Sequence, residues 1–258
     1  MTEAGFAADF AGAQVIASPN FGERAAGKSV NALILHYTGM ESAEGARRWL
    51  CDPDSAVSSH YLVFEDGRVV QMVPETARAW HAGKSFWKGE TDLNSVSIGM
   101  EIVNPGHAFG YPDFPDDQIR SVIELCRHCV EKWAIVPERV LAHSDIAPQR
   151  KADPGEKFPW SSLYEAGIGH WADPSRAGGG RFLQKGDRGQ PVEAMQSLLS
   201  LYGYDVDING IFDEKSEAVV RAFQRHFRPA RVDGVADVST LETLHRLLSS
   251  LADRNANG

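Results

Sequence analysis

Residues 60–73 read HYLVFEDGRVVQMV: two extended apolar runs, His60 to Phe64 and Arg68 to Val73, on either side of Glu65-Asp66-Gly67. Asp-Gly accepts the positive φ of a tight hairpin turn, so the stretch predicts an antiparallel strand pair. Upstream, Asn31 to Leu35 is a short apolar run that ends at His36-Tyr37-Thr38-Gly39, a strand feeding a loop. Glu44 to Leu50 has the pattern of a short helix. Downstream, Ser95 to Val103 reads as a strand, Asp116 to Trp133 as a helix, and Val140 to Ala142 as a strand ending at His143. Helices between strands demand crossovers whereas the hairpin is antiparallel. The expected fold is therefore α/β, a mixed β-sheet flanked by helices.

The character changes after residues 172–180, ADPSRAGGG, whose Pro, Ser and three glycines predict a linker. Val192 to Leu201, Glu214 to Phe227 and Val238 to Leu251 are helical patterns, with Asp213 and Asp237 where N-caps belong. The expected organisation is a domain over 1–171, a linker over 172–180 and a small three-helix domain over 181–258. A boundary of that kind predicts that the first domain folds without the second.

The 258 residues carry a formal net charge of −9 without a basic stripe, which argues against nucleic acid and against an acidic membrane surface. No apolar run approaches the roughly 20 residues of a membrane span. Met1 to Ser18 lacks the basic start and apolar stretch of a secretory signal, so the expected compartment is the cytoplasm, with the periplasm or cell envelope as alternative. A monomer is expected. Three cysteines cannot build a disulfide framework, and Cys126-x-x-Cys129 falls where Ile119, Val122, Ile123, Val130 and Trp133 repeat at helical spacing. The pair reads as buried helix face rather than a metal or redox motif.

Side chains at strand ends project from rigid backbone into a loop-lined cleft. His36 and His143 both stand there, and Asp153 follows the second within His143-Ser-Asp-Ile-Ala-Pro-Gln-Arg-Lys-Ala-Asp153-Pro-Gly. Two neutral imidazoles and a carboxylate leave a fourth tetrahedral position for water, the pattern of a catalytic rather than a structural zinc. Glu101, in Ser97-Ile-Gly-Met-Glu101-Ile-Val-Asn104, points away from Ile98, Met100 and Ile102 if the segment is a strand. A carboxylate held among such apolar neighbours suits a general base. Lys151 lies two residues before Asp153, placed to stabilise an oxyanion. His81 is a candidate for lining the cleft and contacting substrate, and Arg150 and Asn104 for contacts to a substrate's carboxylate or sugar groups. His60, inside an apolar strand, reads as structural.

Leu35-His36-Tyr37-Thr38-Gly39, Ser59-His60-Tyr61-Leu62-Val63, Ala79-Trp80-His81-Ala82-Gly83, Ser97-Ile98-Gly99-Met100-Glu101 and His143 through Gly155 occur in this order over roughly residues 18–170. In this the chain resembles the N-acetylmuramoyl-L-alanine amidases of the amidase-2 type, the AmpD and AmiD branches above all. The resemblance implies one Zn2+ per chain on His36, His143 and Asp153, with Glu101 and Lys151 as catalytic groups. It also implies cleavage between N-acetylmuramic acid, or its 1,6-anhydro form, and the L-alanine of the stem peptide. The partner would be peptidoglycan or soluble anhydromuropeptides, in wall turnover or recycling. Residues 181–251, through Asn209-Gly210-Ile211-Phe212-Asp213 and Val232-Asp233-Gly234-Val235-Ala236-Asp237, resemble the three-helix peptidoglycan-binding domain, though most of the matching positions are helix core.

Two rivals remain at this level. One uses His143-x-Asp145 to begin an iron facial triad, with His170 as the later histidine. The other is a non-catalytic peptidoglycan receptor on the same fold, which would typically lack part of the metal set.

Overall fold

The computed structural model describes residues 5–175, 180 and 182–257. In chain order its strands are β1 (Ala13–Val15), β2 (Phe21–Gly22), β3 (Ala32–Tyr37), β4 (Tyr61–Val63), β5 (Val69–Gln71), β6 (Arg78–Ala79), β7 (Ser97–Ile102) and β8 (Val140–Ala142). The helices are α1 (Ala43–Leu50), α2 (Leu93–Val96), α3 (Asp116–Trp133), α4 (His143–Ile146), α5 (Trp160–Glu165), α6 (Gln190–Tyr202), α7 (Glu214–Phe227) and α8 (Val238–Asn257). Six strands form one sheet in the order β1-β5-β4-β7-β3-β8, while β2 and β6 pair separately. The hairpin makes β4 and β5 antiparallel; β4, β7, β3 and β8 run parallel. The mixed α/β fold expected from the pattern is thus present.

Strand alternation divides the sheet into two faces. Leu33, Leu35, Ile98, Met100, Ile102 and Val140 meet Ile119, Val122, Leu125, Cys126 and Cys129 of α3 in one core. Both α3 cysteines are fully buried and free, as the helical spacing predicted. On the opposite face, Leu62, Val70 and Val103 pack with Leu50 of α1. Several strand boundaries differ from expectation, and two of the differences bear on the site. β3 does not stop at Leu35, because β7 offers ladder partners that carry it through His36 and Tyr37. Ser95 and Val96 belong to α2, whose turn is fixed by buried Asn94 accepting from the backbone N–H of His81 and Ala82, at 3.0 and 2.8 Å.

The C-terminal helices repeat one device. Gln196 of α6 accepts from Asn209 and Gly210 N–H and donates to Ile211 O and Ser216 Oγ. Gln224 of α7 accepts from Asp233 and Gly234 N–H and donates to Val235 O and Thr240 Oγ1. Each glutamine thus ties a glycine loop to the start of the next helix. There Asp213 and Asp237 cap by accepting from Ser216 N and Thr240 N, at 2.8 and 2.9 Å. The polar motif residues are consumed in building the helical module.

Residues 176–179 and 181 lie outside the described residues, among them most of the glycine run expected as linker. Across the expected boundary the two parts pack against each other. Ala32, Ile34, Leu93, Val96, Leu141 and Ile146 share one buried cluster with Val192, Leu199, Tyr202, Tyr204, Phe223 and Phe227 of the helices. Trp87 stands edge-on to Tyr202 and Tyr204, and Lys88 N donates to Gly203 O at 3.0 Å. A Cβ on Gly203 would come within 2.7 Å of the Trp87 ring, so only glycine permits this approach. The helices therefore cover the part of the second sheet face that α1 leaves open.

Candidate active site

The second face also carries the polar cluster, between α1 and the helical module. β3 and β7 are parallel neighbours in a register that sets His36 opposite Glu101. On the other side of β3, Leu35 pairs with Ala142, so the next residue, His143, begins α4 beside His36. The chain then loops back, and Ser144 N donates to Asp153 O at 3.0 Å, bringing Asp153 to the two histidines.

Three acceptor atoms converge. His36 Nδ1, His143 Nδ1 and Asp153 Oδ2 stand 2.9, 3.1 and 3.0 Å from one another, all in buried residues. Their tautomers follow from the outer partners. His143 Nε2 has Ala82 O at 3.2 Å and an Arg150 Nη2 farther off at 3.4 Å, and the nearer carbonyl makes it an N–H donor. His36 Nε2–H donates to His81 Nδ1 at 3.0 Å, His81 Nε2–H to Ser97 Oγ at 3.2 Å, and the Ser97 hydroxyl to Leu93 O. Both Nδ1 lone pairs then face the carboxylate with no proton between them. Such an arrangement repels itself unless a cation lies at the focus. Ligand atoms on a tetrahedral zinc are about 3.3 Å apart, so the cluster has the donor set and nearly the spacing for that ion. Burial, reinforced by the neighbouring His143, lowers the His36 pKa to about 4, keeping the imidazole neutral. Burial acts to raise that of Asp153, but the attraction of the adjoining His143 and His36 rings outweighs it and holds the carboxyl well below the usual range.

Glu101 reaches the same cleft, of ≈ 320 Å³, with Oε2 buried and without a hydrogen-bond partner among the described residues. Burial, reinforced by the Asp153 charge and opposed by Lys151, pushes its pKa well above that of a free glutamate. Lys151 lines the opening and is exposed. The far wall is apolar, with Met40, Trp49, Val57 and Trp80; Trp49 is 49% exposed.

His81 lies in this cleft, but its ring is engaged as the support of His36. Arg150 spans the 82–84 loop, donating to Ala82 O and Lys84 O, and lines a neighbouring hollow rather than the cleft. Asn104 is buried, with Nδ2 donating to Pro112 O and Oδ1 accepting from Gly106 N, both at 2.9 Å, so its amide is spent on its own loop. His60 accepts from Gly99 N at 2.9 Å and donates to Ala77 O at 3.1 Å, away from the cluster. The iron-triad alternative fails on placement. Asp145 turns away to Ala142 N, Tyr204 and His226, and His170 sits between Tyr202 and Ser250. Sequence reasoning missed the apolar wall, whose residues lie in different segments with no shared local pattern.

Comparison with known proteins gives the same site a family. Residues 26–156 match the sequence model of N-acetylmuramoyl-L-alanine amidase, Amidase_2, and residues 188–244 match that of a peptidoglycan binding domain. The amidase AmiD of Escherichia coli K12 is 38% identical over 239 residues, 87% of this chain and 84% of AmiD. The structure of E. coli AmiD with anhydro-N-acetylmuramic acid-L-Ala-D-γ-Glu-L-Lys superposes with a TM-score of 0.74 at 37% identity, covering 86% of this chain and 89% of that one. AmpDh3 of Pseudomonas aeruginosa, in complex with anhydromuramic pentapeptide, gives 0.71 at 31% identity, covering 92% and 96%. Among the described residues no helix is long and apolar enough to cross a membrane.

Proposed function

The chain belongs to the N-acetylmuramoyl-L-alanine amidase family, Amidase_2, and on that premise we propose that it is a zinc-dependent hydrolase of the muramoyl–L-alanine amide bond. The observation that carries this is the convergence of His36 Nδ1, His143 Nδ1 and Asp153 Oδ2 beside Glu101, whose Oε2 has no hydrogen-bond partner among the described residues. A complete ligand set with a base beside it favours an enzyme over a receptor. Zinc held there would supply Lewis-acid activation of water and of the scissile carbonyl. Glu101 takes the proton of the attacking water as the new C–O bond forms, and returns it to the alanine nitrogen as the C–N bond breaks. Its burial raises its proton affinity above that of a free glutamate, which favours taking the proton of the water. The Lys151 ammonium at the opening donates to the oxyanion formed on the way. The apolar wall of Met40, Trp49 and Val57 is suited to the ring and lactyl methyl of the muramic acid.

AmiD and AmpDh3 bind anhydromuramic peptides, which supports soluble 1,6-anhydromuropeptides as substrate. The peptidoglycan binding domain match supports intact wall as a second one. Purified enzyme offered each in turn is expected to release a peptide with a free L-alanine amine, read by mass. Absence of that peptide from both substrates sinks the proposal.

His81 should be necessary to the site through His36. A Cβ on Gly99 would lie 2.7 Å from His81 Nδ1 and closer still to its carbons. Gly99→Ala is therefore expected to displace the ring and weaken zinc binding about 10–100-fold, the usual effect of losing an outer partner. Competition against a chelating indicator measures it; parental affinity would remove His81 from the site's support.

A further inference from the structure

We propose that the C-terminal helical module positions His143, acting through Asp145, and so forms part of the metal site's own scaffold. The inference rests on the reading of His143 as a metal ligand and goes beyond it. α4 is a single turn of four residues, too short to hold its shape alone. Its carboxylate, Asp145, is fully buried and bends back to accept from Ala142 N at 2.8 Å, fixing the backbone one residue before His143. The other two donors to Asp145 come from the module. His226 Nδ1–H of α7 reaches Oδ2 at 2.6 Å, and the Tyr204 hydroxyl reaches Oδ1 at 2.7 Å.

These two donors are themselves held firmly. His226 is 2% exposed and stacks on Trp160, ring centroids 3.7 Å apart, and Tyr204 stands edge-on to Trp87 at 4.9 Å. A buried carboxylate is tolerated only where donors replace water. With Tyr204 or His226 gone, Asp145 must move towards other donors and take the turn with it. Ser144 N in the same turn bonds Asp153 O, so the movement reaches two of the three ligands. Functional constellations tolerate displacements of about 0.5 Å.

The test uses the full-length chain. Tyr204→Phe and His226→Phe each delete one donor while keeping a ring in place. Phe223→Leu disturbs the same apolar cluster without touching Asp145. Zinc affinity by chelator competition, the ligand-field spectrum of the Co2+-loaded protein and thermal unfolding are read for each. Tyr204→Phe and His226→Phe are expected to bind zinc about tenfold more weakly with an altered Co2+ spectrum. Phe223→Leu is expected to melt earlier with parental affinity and spectrum. Parental zinc binding in both donor variants overturns the inference, as does an equal loss in Phe223→Leu, which would mark general loosening. His143→Ala runs alongside; parental affinity there would instead overturn the metal-ligand reading, and the coupling with it.

Discussion

Glu101→Ala is expected to lower kcat by about 10²–10⁴-fold, the usual scale of general acid–base catalysis, with zinc still bound. His143→Ala, or chelation of the parental enzyme, is expected to lose metal and activity together, and zinc to restore activity only to the parental protein. The two outcomes separate because the groups occupy different strands and do different work. His143 Nδ1 is one corner of a triangle about 3 Å on a side, and removing it leaves two donors for an ion that needs three from the protein. Glu101 makes no hydrogen bond to those three atoms. Elemental analysis and single-turnover rates on a defined anhydromuropeptide measure both. Near-normal turnover in Glu101→Ala would return Glu101 to a structural role, and full activity without metal would sink the mechanism.

Local pattern made much of this site legible. His36 and His143 stand out because strands β3 and β8 are apolar up to them, and period-two alternation turns Glu101 away from the α3 core. The histidine-to-aspartate spacing in 143–153 is short enough to read as one loop. What escaped the sequence depends on long-range placement. His81 reads as a cleft residue, yet its partner His36 lies 45 positions away, and only the sheet brings them together. Asn104 and Arg150 have the chemistry of ligand-binding groups, but Asn104 bonds within its own loop and Arg150 bonds the distant 82–84 loop. Asp145 meets Tyr204 and His226 across 59 and 81 residues, a separation at which no periodicity carries information. The packing across the expected boundary escapes the sequence for a related reason. A glycine-rich stretch shows that the backbone there lacks a regular element; whether the parts it joins share a core depends on which sheet face lies bare.

That bare face makes truncation after Ala172 a severe change. It should leave a protein that is insoluble or melts far below the full-length chain. Trp87, Ile34, Leu141 and Ile146 are each at most 1% exposed within the cluster that the helices complete. Uncovering such side chains costs about 1.5–3 kcal/mol each, together on the order of the 5–15 kcal/mol that stabilises a whole domain. Asp145 would keep one of its three donors, adding a poorly satisfied carboxylate at the foot of the metal site. Soluble yield and thermal unfolding, compared with the full-length chain, measure the stability. Cleavage of a small soluble muropeptide measures whether the site survives. A truncated chain that unfolds cooperatively near the parental temperature and still cleaves would mean that the sheet face covers itself by other means. Loss of both would assign the helices a role that binding to wall alone does not require, because a tethered anchor can be removed without unfolding the enzyme it carries.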